Sequence, residues 1–85
     1  MSENKIRIER VQTGVRIEKR MLKVLKAMAE YHDISLGDLL EGIVLYSMEG
    51  KSPFSDDSIN RIEQFKQIYG MDYDSTAAHN LTEEE

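Results

Sequence analysis

The feature that most constrains this chain is a change of periodicity within residues 11–50. Apolar and polar side chains alternate through residues 11–18, VQTGVRIE, which is the pattern of a half-buried β-strand. From Lys19 onward the apolar spacing becomes helical, breaks at residues 32–34 and resumes at Ser35. The stretch therefore predicts one short strand followed by two helices.

The predicted strand needs a partner, because its backbone N–H and C=O groups must be hydrogen-bonded. No second segment of the sequence shows alternation of similar quality. The same strand of a second chain is the simplest partner, so we expect a homodimer joined by an intermolecular two-stranded antiparallel ribbon. The apolar residues of the strand and helices would form the dimer core: Val11, Val15, Ile17, Leu25, Leu39, Leu40, Ile43 and Val44.

Three helices are expected after the strand, which makes the chain mainly α with one β-strand. The first covers residues 19–32. The second follows the N-cap residue Ser35 and runs to about residue 48. The third follows the N-cap residue Ser55, covers residues 56–69 and ends at Gly70.

Residues 11–50 resemble the ribbon-helix-helix family of DNA-binding proteins, the Arc and MetJ type of repressor. The matching features are, in order, the strand QTGVRIE, the basic amphipathic helix KRMLKVLKAMAEYH and the Ser-capped segment SLGDLLEGIVLYSMEG. The resemblance implies an intertwined dimer that inserts its ribbon into the major groove of DNA. It also implies base reading by Gln12, Gly14 and Arg16, and a grip on the DNA backbone by Ser35, Leu36 and Gly37.

The residue types and the charge distribution agree with this interpretation. Arginine can bond bidentately to guanine and glutamine to adenine. Residues 1–27 carry eight basic and three acidic side chains, whereas residues 28–85 carry three basic and thirteen acidic ones. A basic first third is suited to a polyanion despite the net charge of −5. Three of its residues, Arg10, Lys19 and Arg20, are expected to contact phosphates.

The remaining segments are assigned from composition. Residues 1–10 are expected to be a flexible basic arm, residues 51–70 a linker with the third helix, and residues 71–85 an acidic, disordered tail. Residues 55–85 exceed what DNA binding requires, so an antitoxin-type regulator that captures a protein partner through them is an alternative. A second alternative is a dimerisation module without DNA binding, suggested by Gly14 and the acidic net charge.

Composition excludes several other classes. The chain has no cysteine and only two histidines, and it shows no credible catalytic set, so we expect neither an enzyme nor a metal or cofactor. No apolar run is long enough to span a bilayer, and the N-terminus lacks the apolar core of a signal peptide. We therefore predict a cytoplasmic, homodimeric DNA-binding repressor, with the option of higher assemblies on DNA.

Overall fold

The computed structural model describes residues 5–84. Residues 1–4 of the expected arm and residue 85 of the expected tail lie outside this part of the chain. Within it the regular elements are three α-helices and one short 3-10 turn, joined by irregular segments. Their bounds are α1 Lys19–Tyr31, α2 Leu36–Met48, α3 Asp56–Tyr69 and the 3-10 turn Ser75–Ala77.

Local sequence signals explain where the second and third helices begin. The hydroxyl of Ser35 accepts a hydrogen bond from the backbone N–H of Asp38 at 3.1 Å. The hydroxyl of Ser55 accepts one from the N–H of Ser58 at 3.2 Å. Each bond satisfies one of the N–H groups that the first turn of a helix leaves free. The three predicted helices and both serine caps are confirmed.

The core is small and centres on α1, which packs against both α2 and α3. Its central cluster of buried side chains is Met28 and Ala29 on α1 and Leu39 on α2. Partly buried side chains from all three helices and the α2–α3 connection surround them: Leu25, Ile43, Phe54, Ile62 and Phe65. The shared packing on α1 therefore holds the three helices together.

The predicted strand is wrong, and so is the ribbon-helix-helix fold built on it. Residues 5–18 have no regular secondary structure, and residues 5–84 as described contain no strand at all. Alternation in residue type is not matched by alternation in burial, because Val11 and Val15 are 80% and 75% exposed. A strand persists only where a neighbouring segment completes its hydrogen-bond ladder, and no described segment does so. The expected intertwined dimer is wrong as well, because it depended on the ribbon.

Both irregular ends of the described chain lie against the helices. Near the N-terminus, Arg10 contacts Glu41 on α2. After α3, residues 71–84 return to the beginning of α1, where Tyr73 contacts Glu18. None of the helices between residues 5 and 84 combines the length and the apolar content needed to cross a membrane.

Candidate nucleic-acid interface

A row of exposed lysines runs along one side of α1. Lys19, Lys23 and Lys26 are spaced by four and three residues, which places them on the same side of the helix. Val24 and Met28 are buried on the side that packs against the other helices. The row begins where the irregular basic segment 5–18 ends, so the two are continuous along the chain.

Two of these lysines border an open groove between α1 and α3. The groove has a volume of about 670 Å³. The ammonium group of Lys23 lies 5.9 Å from the centroid of the Tyr69 ring, within the range of a cation–π contact. Cationic, aromatic and small residues line the groove together with one carboxylate: Lys23, Lys26, Ala27, Glu30, Tyr31, Phe65 and Tyr69.

Arg10, an expected phosphate contact, is held by a carboxylate of α2. Its Nε and Nη2 atoms donate to the two carboxylate oxygens of Glu41, each at 2.9 Å. This bidentate bond raises the pKa of Arg10 and lowers the pKa of Glu41. Both side chains are exposed, so a phosphate would have to displace Glu41 to reach Arg10.

The start of α2 is less favourable for an anion than the sequence suggested. Ser35 and Gly37 are exposed and Leu36 is half-buried, but the hydroxyl of Ser35 is already used as the cap. Asp38 is near enough to raise the pKa of Arg10 through its charge. Two acids, Asp38 and Glu41, therefore stand close to the expected backbone-gripping residues.

The expected base readers are all on the surface of segment 5–18. Gln12, Gly14 and Arg16 are exposed. A Cβ atom added at Gly14 would meet nothing within 4 Å, so the backbone is open to close approach there. Arg16 forms an ion pair with Glu83 of the C-terminal segment, in which the two side chains are 84% and 68% exposed.

Arg20 lies in a denser network at the beginning of α1. Its Nε donates to Glu18 at 3.3 Å, and its Nη1 donates to the carbonyl oxygen of Gly70 at 2.9 Å and to Asp72 at 3.2 Å. The hydroxyl of Tyr73 donates to the other Glu18 oxygen at 2.6 Å. The guanidinium carbon of Arg20 is 5.5 Å from the centroid of the Tyr73 ring.

This network shifts two ionisations. The hydrogen bond from Tyr73, followed by the N–H of Arg20, lowers the pKa of Glu18 to about 2. Burial, followed by the bond to the Glu18 carboxylate, raises the pKa of Tyr73 to about 12. Glu18 is therefore a carboxylate, and Tyr73 a neutral donor, throughout the physiological range.

The residues expected to form a dimer core divide into three groups by burial. Leu39 is buried in the core of the single chain, and Leu25 and Ile43 pack against that core. Ile17 and Leu40 are half-buried. Val11, Val15 and Val44 are exposed.

The lysine row follows from the sequence, because Lys19, Lys23 and Lys26 are spaced by four and three residues, but Lys23 and Lys26 are additions to the expected phosphate contacts. Sequence reasoning missed Tyr73 and Glu83. The positions of Tyr73 and Glu83 carried no local signal, because their partners Glu18 and Arg16 lie 55 and 67 residues away in the sequence.

Among residues 5–84, no group of three or more histidine, aspartate or glutamate side chains is arranged to hold a metal ion. No protein-family model, curated protein or solved structure matches this chain.

Proposed function

We propose that this chain is a sequence-specific DNA-binding transcriptional regulator that acts as a repressor through its irregular basic segment and α1. The observation that carries the proposal is the exposed row Lys19, Lys23 and Lys26, continuous with segment 5–18. Contacts between lysine or arginine and phosphate supply much of the affinity of proteins for DNA. A cationic surface on a chain of net charge −5 is suited to such contacts.

Different residues of this surface would supply affinity for DNA and recognition of its sequence. The lysine row, with Arg10 and Arg20, would contact phosphates and orient the protein. Gln12 and Arg16 would read base edges, for which an amide and a guanidinium are chemically suited. Gly14 between them leaves room for the backbone to approach the bases. Irregular arms enter DNA grooves in other classes of DNA-binding protein, so this role requires no strand.

Binding as a homodimer is part of the proposal. Two copies related by a twofold axis would present two basic segments to half-sites about one helical turn, or ~10 bp, apart. Further dimers on adjacent half-sites would extend the assembly. Such a regulator would act in the cytoplasm, and it needs no cofactor and no catalytic activity.

We propose DNA binding rather than capture of a protein partner through residues 55–85, because both parts of this region contact their own chain. The apolar side chains Ile62 and Phe65 of α3 pack against the core of their own chain. The C-terminal segment also contacts α1 within the chain, through Tyr73 and Glu18. The antitoxin-type function and the dimerisation module without DNA binding stay predictions from the sequence.

The test is fluorescence anisotropy with the duplex upstream of the protein's own coding sequence, beside a scrambled duplex of equal length. Titrations at about 50 and 200 mM salt should show preference for the native duplex and a steep loss of affinity with salt. Lys23→Gln should weaken binding to both duplexes about three- to tenfold, while the matched change Lys51→Gln on the α2–α3 connection changes it less than about twofold.

The variant Arg16→Ala separates recognition of base sequence from the electrostatic attraction that any duplex exerts. We expect it to reduce the preference for the native duplex by about tenfold, because one bidentate base contact is worth about 1–3 kcal/mol. Absence of wild-type binding to either duplex at low salt would refute the proposed function. An unchanged preference of Arg16→Ala for the native duplex would show that Arg16 does not read base edges.

A further inference from the structure

The C-terminal segment, residues 71–84, places carboxylates on two arginines of the proposed DNA-binding surface. Glu83 forms an ion pair with Arg16. Asp72 accepts from Nη1 of Arg20 at 3.2 Å. A guanidinium binds carboxylate and phosphate oxygens through the same N–H groups. The two acids therefore occupy the positions at which DNA would be bound.

Partial burial and one hydrogen bond hold this segment near α1 independently of the ion pairs. Met71, Tyr73 and Ala77 are half-buried, and with Ala78 and Leu81 they line a cavity of about 330 Å³ whose other side is formed mainly by apolar residues of α1 and α3. The Tyr73 hydroxyl donates to Glu18 at 2.6 Å. The carboxylates are thus held near the arginines by contacts that do not themselves involve Arg16.

The ion pairs are of a kind that DNA can displace. Both side chains of the Arg16–Glu83 pair are exposed, and Asp72 is exposed as well. Exposed ion pairs contribute little to stability because water and salt screen them. A duplex offers Arg16 base edges and Arg20 a phosphate, and it binds the lysine row at the same time, so it can outcompete two single carboxylates.

We propose that residues 71–84 form an autoinhibitory strap that competes with DNA for Arg16 and Arg20. The inference rests on the proposed function and adds a regulatory step to it. With the strap in place, the protein binds DNA less tightly than its basic surface alone would allow, because only the fraction with free arginines is competent. By reciprocity, bound DNA must loosen the strap.

The experiment compares two full-length double variants. Asp72→Asn with Glu83→Gln removes the two strap carboxylates that pair with Arg16 and Arg20. Asp33→Asn with Glu49→Gln is the matched control, because it removes two exposed acids, one just beyond the opposite end of α1 from Arg20 and one that pairs with Lys51. Both double variants therefore carry the same net charge, and circular dichroism verifies that both retain the helices.

Anisotropy with a mixed-sequence duplex at about 50 mM salt gives the outcome. We expect the strap variant to bind about three- to tenfold more tightly than the control. The reason is that Arg16 and Arg20 no longer have to break two exposed ion pairs before they bind DNA. Equal affinity of the two variants would overturn the strap.

Absence of binding by all the proteins would refute the proposed function itself, and the strap with it. Hydrogen exchange of the wild-type protein supplies an independent result. Peptides from residues 71–84 should exchange faster when the duplex is bound. Unchanged exchange in this segment under saturating DNA would contradict the strap while leaving DNA binding intact.

Discussion

At the scale of single residues, Glu18 joins the beginning of α1 to the C-terminal segment. Its carboxylate accepts hydrogen bonds from the backbone N–H groups of Arg20 at 2.9 Å and Met21 at 3.3 Å, and so caps the helix. A negative charge at this end also matches the helix dipole. The same carboxylate accepts the Tyr73 hydroxyl. One side chain therefore couples helix initiation to the packing of the strap.

This coupling predicts a pH-dependent stability. Because the folded pKa of Glu18 is lowered to about 2 from its usual 4.5, its contribution is complete above pH 4.5 and is lost as the pH falls through about 2. Tyr73→Phe removes the largest cause of the lowered pKa. We expect the variant to lose about 1 kcal/mol of unfolding free energy at pH 7 and less at pH 2. Urea denaturation at both pH values measures the difference.

Tyr46→Phe is the control, because Tyr46 is an exposed tyrosine on α2. It should leave the unfolding free energy unchanged within about 0.5 kcal/mol at both pH values. Equal losses from Tyr73→Phe and Tyr46→Phe at pH 7, or a loss from Tyr73→Phe that does not shrink in acid, would contradict the role of Glu18.

At the scale of the elements, one glycine ends a helix and another lies inside a helix. Gly70 ends α3 in the left-handed region, with φ of 69°, and the following N–H of Met71 bonds back to the carbonyl of Lys66 at 2.9 Å. This reversal sends the chain back toward α1. Gly42 lies inside α2, and a Cβ atom added there would meet nothing within 4 Å.

Alanine at these two positions should change stability in opposite directions. Gly70→Ala should lower the free energy of unfolding by about 1 kcal/mol, because a side chain is strained at this positive φ. Gly42→Ala should raise it by about 0.5–1 kcal/mol, because alanine has the higher helix propensity. Chemical denaturation of both variants measures the changes. A stabilising Gly70→Ala would contradict the capping role.

At the scale of the whole molecule, the chain buries few side chains and exposes a large apolar surface on α2. Val44, Leu45 and Met48 are 46%, 64% and 78% exposed. With Ile8 and Leu40 they line an open groove of about 480 Å³. Small chains with a limited core commonly gain buried area by self-association, and contiguous apolar surface of this kind marks interaction sites.

A second copy of the chain is therefore expected to cover this face of α2. Sedimentation equilibrium should show a dimer for the wild-type protein, and Leu45→Lys should shift it toward the monomer by at least about tenfold in dissociation constant, because it places a charge in an apolar contact. Ile68→Lys, on the exposed part of α3, is the control and should leave the dimer intact. A monomeric wild-type protein, or equal effects of the two variants, would contradict this interface.

The sequence by itself determined the helices and their ends. A helical hydrogen bond joins residues only four positions apart, and a cap such as Ser35 or Ser55 bonds an N–H three positions on. The same short range made the lysine row on α1 visible, since residues spaced by three and four share a side of the helix. These features need no knowledge of the rest of the chain.

Only the tertiary structure decided the state of residues 11–17 and the partners of the arginines. Strand formation depends on a ladder supplied by another segment, so alternation around Val11 and Val15 was not sufficient. The contacts of Arg16 with Glu83 and of Glu18 with Tyr73 join residues 67 and 55 positions apart. Such contacts form because the packing of the helices brings residues 16–18 close to residues 73–83. No local sequence pattern specifies a pairing between residues so far apart in the chain.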